Sequence, residues 1–461
     1  MKKILTILII AAAAAPGAAS EKALTGLSIY NNNFAVVRET RRMNFSKGIN
    51  TVKFTDVASS LDPTTVNFEC LGNPGAVSIL EQNYEYDLVS PDSLLKRYTD
   101  REITVQISGS GADTGREISG TLMAFMNGSL IIKSCGEEIE IIDKDNIEAV
   151  SLQKSPEDLV TRPTLLWLAD SRKDGPLDCR VTYTTEKLGW DADYSAILNE
   201  DETALSFSGW VTIKNNSGKS YQNSEIKLIA GDVRKIKSQD HRKAEYMKRD
   251  MVYSAAPPAF EEKSFMEYHM YTLSRRSTIK NNQIKQIEFI EPVPEAAVEK
   301  LYIYDRRQYN DKIQVRIEFK NTEKNKLGIP LPKGRVRVFK KDLADGMLEF
   351  VGEDSIDHTP REEKISLYIG NAFDIAVEYK QIDSKHDRRR RTDSHLIELR
   401  NQKDEAVTVY VDEKFSKYAN WKIDESTHDY KKYDSSTARF EVKIEAGETA
   451  ELRYTATQWW N

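Results

Sequence analysis

The sequence predicts an all-β chain of multidomain β-sandwiches, the C-terminal one Ig-like. A small SH3-like or Sm-like barrel is inserted after the N-terminal strand domain. Two observations carry this. Apolar and polar residues alternate with period two in short runs from Ala23 to the C-terminus, the pattern of strands with one buried face. Turn chemistry such as Asn31-Asn32-Asn33 and Gly72-Asn73-Pro74-Gly75 separates the runs.

In chain order, residues 1–20 read as a cleavable export signal. Lys2 and Lys3 precede twelve uncharged, mostly apolar residues, Ile4 to Ala15, then Pro16 and the small run Gly17-Ala18-Ala19-Ser20. Twelve residues fall short of the roughly 17 that a membrane span needs. No cysteine precedes Cys70, so no thiol lies beside the cleavage point to take a lipid. The expected product has no transmembrane span after cleavage and is exported, to the periplasm or the extracellular space.

Residues 21–89 form the expected N-terminal strand domain, with strands near 27–30, 35–38, 51–54, 65–70 and 77–84. Residues 90–157 begin with Ser90-Pro91-Asp92, which supplies an N-cap, a first-turn proline and an early acid for a short helix. Five short strands follow, near 103–107, 118–125, 129–133, 137–142 and 147–152, and suggest the small barrel. Its last hairpin carries Glu137, Glu138, Glu140 and Asp143, which opposes nucleic-acid binding.

Residues 158–390 carry longer strands. A parity slip at Gly209 reads as a bulge, and the charged stretch 234–262 reads as a polar excursion. Residues 391–461 complete the Ig-like sandwich, with strands near 396–400, 406–411, 438–444 and 450–456.

Several ordered phrases are more specific than the strand pattern. They include Leu188-Gly189-Trp190-Asp191-Ala192-Asp193-Tyr194, then Gly209-Trp210-Val211-Thr212-Ile213-Lys214-Asn215-Asn216-Ser217-Gly218, and Glu267-Tyr268-His269-Met270-Tyr271. Leu331-Pro332-Lys333-Gly334-Arg335, Gly352-Glu353-Asp354-Ser355-Ile356-Asp357-His358-Thr359-Pro360 and Gly370-Asn371-Ala372-Phe373-Asp374 follow. From about Arg162 to the C-terminus the chain resembles the bacterial family catalogued as domain of unknown function 4139. The resemblance implies an exported or envelope-associated β-rich protein and brings no catalytic residues with it. Some of its members place a long coiled coil where this chain has the expected small barrel.

The candidate sites are few. Asp354, Asp357 and His358 lie within five residues, so a turn could converge them on a cation or a water, while aspartates in such a place also cap turns. His269 shares strand parity with Glu267 and is a candidate general base. The run Arg388, Arg389, Arg390 and Arg391 concentrates positive charge and is a candidate binding element. The terminal pair Trp459 and Trp460 is a candidate contact patch, whereas Trp190 and Trp210 read as core anchors.

Formal net charge is −6, and −8 once Lys2 and Lys3 leave with the signal, so nucleic acid is not an expected partner. Of three cysteines, Cys70 and Cys179 share parity with apolar neighbours and read as core residues, either free thiols or one disulfide. No cysteine pair is closely spaced, and no metal or cofactor is expected. There is no Gly-x-Ser-x-Gly elbow, P-loop, zincin motif or Rossmann fingerprint.

The expectation is a binding or scaffolding protein of the cell envelope, with an envelope protein, a glycan or an anionic lipid as partner. The alternative is an exported hydrolase of glycan or peptide using the Asp/His candidates. An outer-membrane barrel is a third class. Fourteen prolines and the polar excursion argue against it.

Overall fold

The computed structural model describes residues 24–86, 91–108, 116–134, 136, 138–152, 161–231, 233, 260–309 and 311–460. The expected export signal, the expected Ser90 cap, Cys135 and most of the expected polar excursion lie outside the described residues. What is described is mostly strand, arranged in five sheets, with two short α-helices.

The first sandwich draws on both sides of the 90–157 insertion. Its eight-stranded sheet runs Phe260–Phe265, Tyr268–Leu273, Tyr221–Ala230, Leu24–Tyr30, Phe34–Phe45, Gly175–Glu186, Leu61–Cys70, with Ser277–Ile279 also on Tyr221–Ala230. Leu24–Tyr30 is parallel to Tyr221–Ala230 and antiparallel to Phe34–Phe45, so N-terminal strands sit in the middle of the sheet. A three-stranded sheet, Gly48–Thr55, Thr164–Ser171, Val77–Glu85, packs nearby through Phe54 and Trp167. One core joins Leu27, Val37 and Trp167 to Trp190, Tyr194 and Phe207. Burying aromatic and branched side chains of this size gives roughly 1.5–3 kcal/mol each, which is why these strands hold together across long sequence separations. Trp190 is buried as expected, and Trp210 is half-buried.

The ten-stranded sheet includes Leu348–Ile356, Gly334–Lys341, Leu188–Leu198, Ala204–Asn215 and Gln283–Asp305. The last of these is 23 residues long, although Pro292 and Pro294 make it read as two strands. The Gly209 bulge is present: the ladder to Gln283–Asp305 shifts on both sides of Gly209. The far end of this strand, Tyr302 and Tyr304, enters a second core with Val409, Trp421, Phe440 and Leu452. That core lies between Val407–Lys414, Thr437–Ile444 and Tyr430–Asp434 on one side and a four-stranded sheet on the other. The latter runs Ile375–Asp387, Arg390–Asn401, Thr449–Trp459, Asn420–Ser426.

The insertion has the expected helix, Pro91–Arg97, and five strands in the order Ile147–Leu152, Glu102–Ile107, Arg116–Met126, Ser129–Ser134, Ile139–Asp143. The sheet curls, because Ile142 and Ile147 from its two edges meet Leu95, Tyr98 and Val105 in one core. The expectation of a closed barrel is corrected: no ladder joins the two edge strands among the described residues. The reason is local. The 3₁₀ turn Lys144–Asn146 between them is pegged to other loops, with Lys144 N donating to Gly128 O and Ser108 N to Asn146 O.

Candidate functional site

The Asp354–His358 segment is where sequence chemistry was densest, and it serves as a clamp. Asp354 Oδ1 accepts from Ser355 N at 2.8 Å, and Oδ2 accepts from Tyr368 N at 2.8 Å. The carboxylate thus ties Leu348–Ile356 to Lys364–Asn371, two strands that share no ladder. Asp357 is exposed, and its carbonyl accepts from Thr359 Oγ1 at 2.8 Å. Thr359 and Leu331 exchange backbone hydrogen bonds at 2.8 and 2.9 Å.

His358 Nδ1 accepts from Lys333 N at 3.2 Å, which places the ring proton on Nε2. Nε2 lies 3.4 Å from the Asn31 side-chain nitrogen, while Asn31 Oδ1 is buried without a partner. With the Asn31 amide turned over, Nε2–H donates to Oδ1. His358 therefore joins the Asn31 turn to the Lys333 turn.

His269 is half-exposed. Its Nδ1 lies 2.8 Å from Glu262 Oε1, and Glu262 Oε2 accepts from Arg361 at 3.4 Å. Glu262, not Glu267, is its carboxylate partner, because Phe260–Phe265 and Tyr268–Leu273 are separate strands of a hairpin turning at Met266 (φ 56°). Asp354, His358 and His269 are held by three different sets of partners, and Asp357 is exposed and bonded through its backbone carbonyl. Among the described residues no group of three His, Cys, Asp or Glu side chains is placed to hold a metal. We expect Asp354→Ala to cost about 1–2 kcal/mol through the lost strand clamp. Divalent cations should leave the melting temperature of wild type and variant alike unmoved. A cation-dependent rise in wild type that the variant loses would restore the metal reading.

The two candidate binding elements meet. Arg388 and Arg389 form the tip of the hairpin between Ile375–Asp387 and Arg390–Asn401. The final strand returns beside it: Trp459 is opposite Arg390 in the ladder, and Trp460 N donates to Arg389 O at 2.9 Å. Both tryptophans are half-buried. Arg391 pairs with Asp393 at 2.7 Å, while Arg388 and Arg389 are exposed, with no carboxylate within ion-pair distance among the described residues.

Two buried polar clusters carry no motif. In the first, Glu39 accepts from Tyr183 Oη (2.8 Å), Lys219 Nζ (2.9 Å) and Arg41. In the second, Glu413 accepts from Arg306 (3.0 Å) and from Tyr454 Oη (2.7 Å), and His395 Nδ1 lies 3.0 Å from Tyr379 Oη. The Arg306 guanidinium lies 4.8 Å from the Tyr379 ring centre, and the His395 ring lies 4.9 Å from that of Tyr454. Burial pushes the His395 imidazole below its ordinary range. Strand parity was the available signal: Glu39 follows Ala35 and Val37, and His395 precedes Ile397 and Leu399, on inward positions.

A cleft of about 240 Å³ has His395, Tyr454, Ser394 and Arg453 in its wall. A larger one of about 620 Å³ lies between Leu198, Leu205, Pro294, Leu343 and Leu348, and no candidate residue lines it. No helix among the described residues is long and apolar enough to cross a membrane.

No curated protein matches the chain. The family described as "Domain of unknown function (DUF4139)" matches residues 179–461. The match begins inside the strand Gly175–Glu186, which pairs with the N-terminal strands Phe34–Phe45 and Leu61–Cys70, and it takes in the whole of the second core but only part of the first. With well over half of its length matched, the chain belongs to the DUF4139 family.

Proposed function

We propose that the protein is exported and acts in the cell envelope as a binding or scaffolding protein. Its C-terminal sandwich presents the Arg388–Arg391 hairpin tip to an anionic surface. One observation supports this above the rest. Two elements nearly seventy residues apart, a run of arginines and a terminal tryptophan pair, lie side by side at one end of one sheet. Each alone reads as an ordinary surface feature. Together they resemble an interfacial anchor, in which arginines meet phosphate and amphipathic indoles sit at the boundary.

The surrounding chain is acidic overall, so a cationic tip also orients the molecule toward such a surface. The hydrolase alternative finds no assembled site among the described residues: Asp354, His358 and His269 are engaged in holding strands and turns, and Asp357 is exposed and engages a partner only through its backbone carbonyl.

The test is sedimentation of the purified protein with vesicles of phosphatidylcholine alone or with added phosphatidylglycerol. Binding should require the anionic lipid and weaken as salt is raised. Arg388→Ser with Arg389→Ser should lower it on the order of 10- to 30-fold, at about 1 kcal/mol per arginine. Equal binding to neutral vesicles, or an unaffected double variant, would sink the reading. Cell fractionation checks export separately.

A further inference from the structure

We infer that Cys70 and Cys179 are joined by a disulfide in the exported protein, stapling the N-terminal strands to the start of the family region. The two residues are directly opposite each other in the ladder between Leu61–Cys70 and Gly175–Glu186. The neighbouring position carries the hydrogen bond, Leu71 N to Asp178 O at 2.8 Å. Cys70 and Cys179 therefore occupy a non-hydrogen-bonded position, where Cα atoms are only about 4.5 Å apart and side chains come closest. That lies within the span a disulfide can bridge. The sulfur atoms are 3.5 Å apart, so small side-chain rotations suffice to form the bond.

The surroundings favour a covalent pair over other uses of two thiols. Cys70 is 4 % exposed and Cys179 is fully buried, packed with Phe45, Val77 and Ala169. No His, Asp or Glu joins them to complete a metal site among the described residues. Burial, and then the neighbouring Cys70, push the Cys179 thiol up, so thiolate chemistry is suppressed once the core has closed. Oxidation thus belongs to folding, before the core excludes reagents.

The reaction is thiol–disulfide exchange with a disulfide-bearing oxidant, a thiol oxidase or glutathione disulfide. The two cysteines lose two protons and two electrons and gain one S–S bond. The oxidant's S–S bond breaks and takes up those protons and electrons as two thiols.

The consequence lies in the sheet. Leu61–Cys70 is the last strand of the eight-stranded sheet, with one hydrogen-bonded neighbour among the described residues, and such edge strands are among the first to open. The bond locks that edge. It also closes a loop containing the whole 90–157 insertion, so chain entropy removed from the unfolded state is large. Oxidation in the cell rests on the proposed export, whereas the pairing rests on the ladder alone, and the experiment separates them.

Full-length wild type is recovered from cells, quenched in acid, alkylated without reductant and mapped by mass spectrometry. In parallel, purified reduced protein is unfolded and refolded in a glutathione redox buffer. The expected result is a Cys70–Cys179 linked peptide in both arms, with Cys135 alkylated. Reductant should lower the melting temperature by roughly 5–15 °C. Cys70→Ser and Cys179→Ser should melt with reduced wild type and ignore reductant. Linkage in the refolded arm alone, with the cellular protein reduced and cytosolic, upholds the pairing and overturns export. Two alkylated thiols in both arms, or either cysteine bridged to Cys135, overturns the pairing.

Discussion

Glu39→Ala is expected to destabilise the protein by about 3–5 kcal/mol, a large share of the 5–15 kcal/mol by which a folded domain typically exceeds its unfolded state. Glu39 is 1 % exposed in the middle of Phe34–Phe45 and carries the only carboxylate within ion-pair distance of Arg41 among the described residues. Its removal leaves the ammonium of Lys219, itself 6 % exposed, with the carboxylate of half-exposed Asp56 at 3.7 Å. It also strips Tyr183 Oη of its acceptor inside the core. An ion cluster of this kind adds little over a well-packed apolar one, yet breaking it on one side is costly. The double variant Glu39→Met with Lys219→Met should therefore recover much of the loss.

The pH dependence has a definite sign. Burial alone would raise the Glu39 carboxyl, but Lys219 and then Arg41 more than offset it and hold it below the ordinary range. The cluster thus stabilises the fold above pH 4.5, the ordinary glutamate value, and loses that contribution as pH falls through the depressed value. Denaturant unfolding at pH 7 and at steps of pH below 4.5 reads both effects. A loss under 1 kcal/mol at pH 7 would mean that water reaches the cluster and the charges are not confined.

Much of the architecture was legible because period-two alternation is imposed by burial of one strand face, and it survives wherever the sheet is one-sided. The strand 390–401 illustrates both the reach and the limit of that rule. Its inward positions are Asp393, His395, Ile397, Leu399 and Asn401, a strict alternation that includes three polar residues. Hydropathy alone sees only Leu396–Arg400. Long-range pairing was not legible. Nothing local in Leu24–Tyr30 says that its parallel partner is Tyr221–Ala230, nor does anything in Arg389 say that Trp460 will donate to it. The Asp354–His358 segment shows the converse. Composition suggested chemistry, but the partners of Asp354 and His358 arrive from a distant strand (Tyr368) and distant turns (Lys333, Asn31) and occupy them.

Glu413→Ala should have a comparable cost, about 3–5 kcal/mol, and a pH signature that a general packing defect would lack. Glu413 is 3 % exposed and holds Arg306 on one oxygen and Tyr454 Oη on the other. Arg306 Nε is already buried without a partner, so the truncated site would leave a guanidinium with no counter-charge beneath the Tyr379 ring. His395 reads the change. Burial is the largest influence on it and lowers its pKa; Glu413 and Asp393 raise it, while Arg306 and Arg391 lower it.

A histidine held neutral by the fold takes up a proton more readily when unfolded. Wild-type stability should therefore fall as pH drops below 6.5, down to the depressed value, with a slope of at most about 1.4 kcal/mol per pH unit. His395→Phe should flatten this stretch at a fixed cost for the lost Tyr379 bond. Glu413→Ala should extend it to lower pH, because the group that most favours the imidazolium is gone. Since His395 and Tyr379 sit midway along the hairpin whose tip carries Arg388 and Arg389, these variants should also loosen the tip and weaken anionic-vesicle binding at pH 7. Unchanged vesicle binding in a destabilised Glu413→Ala protein would show that the tip is set by Trp459 and Trp460 alone.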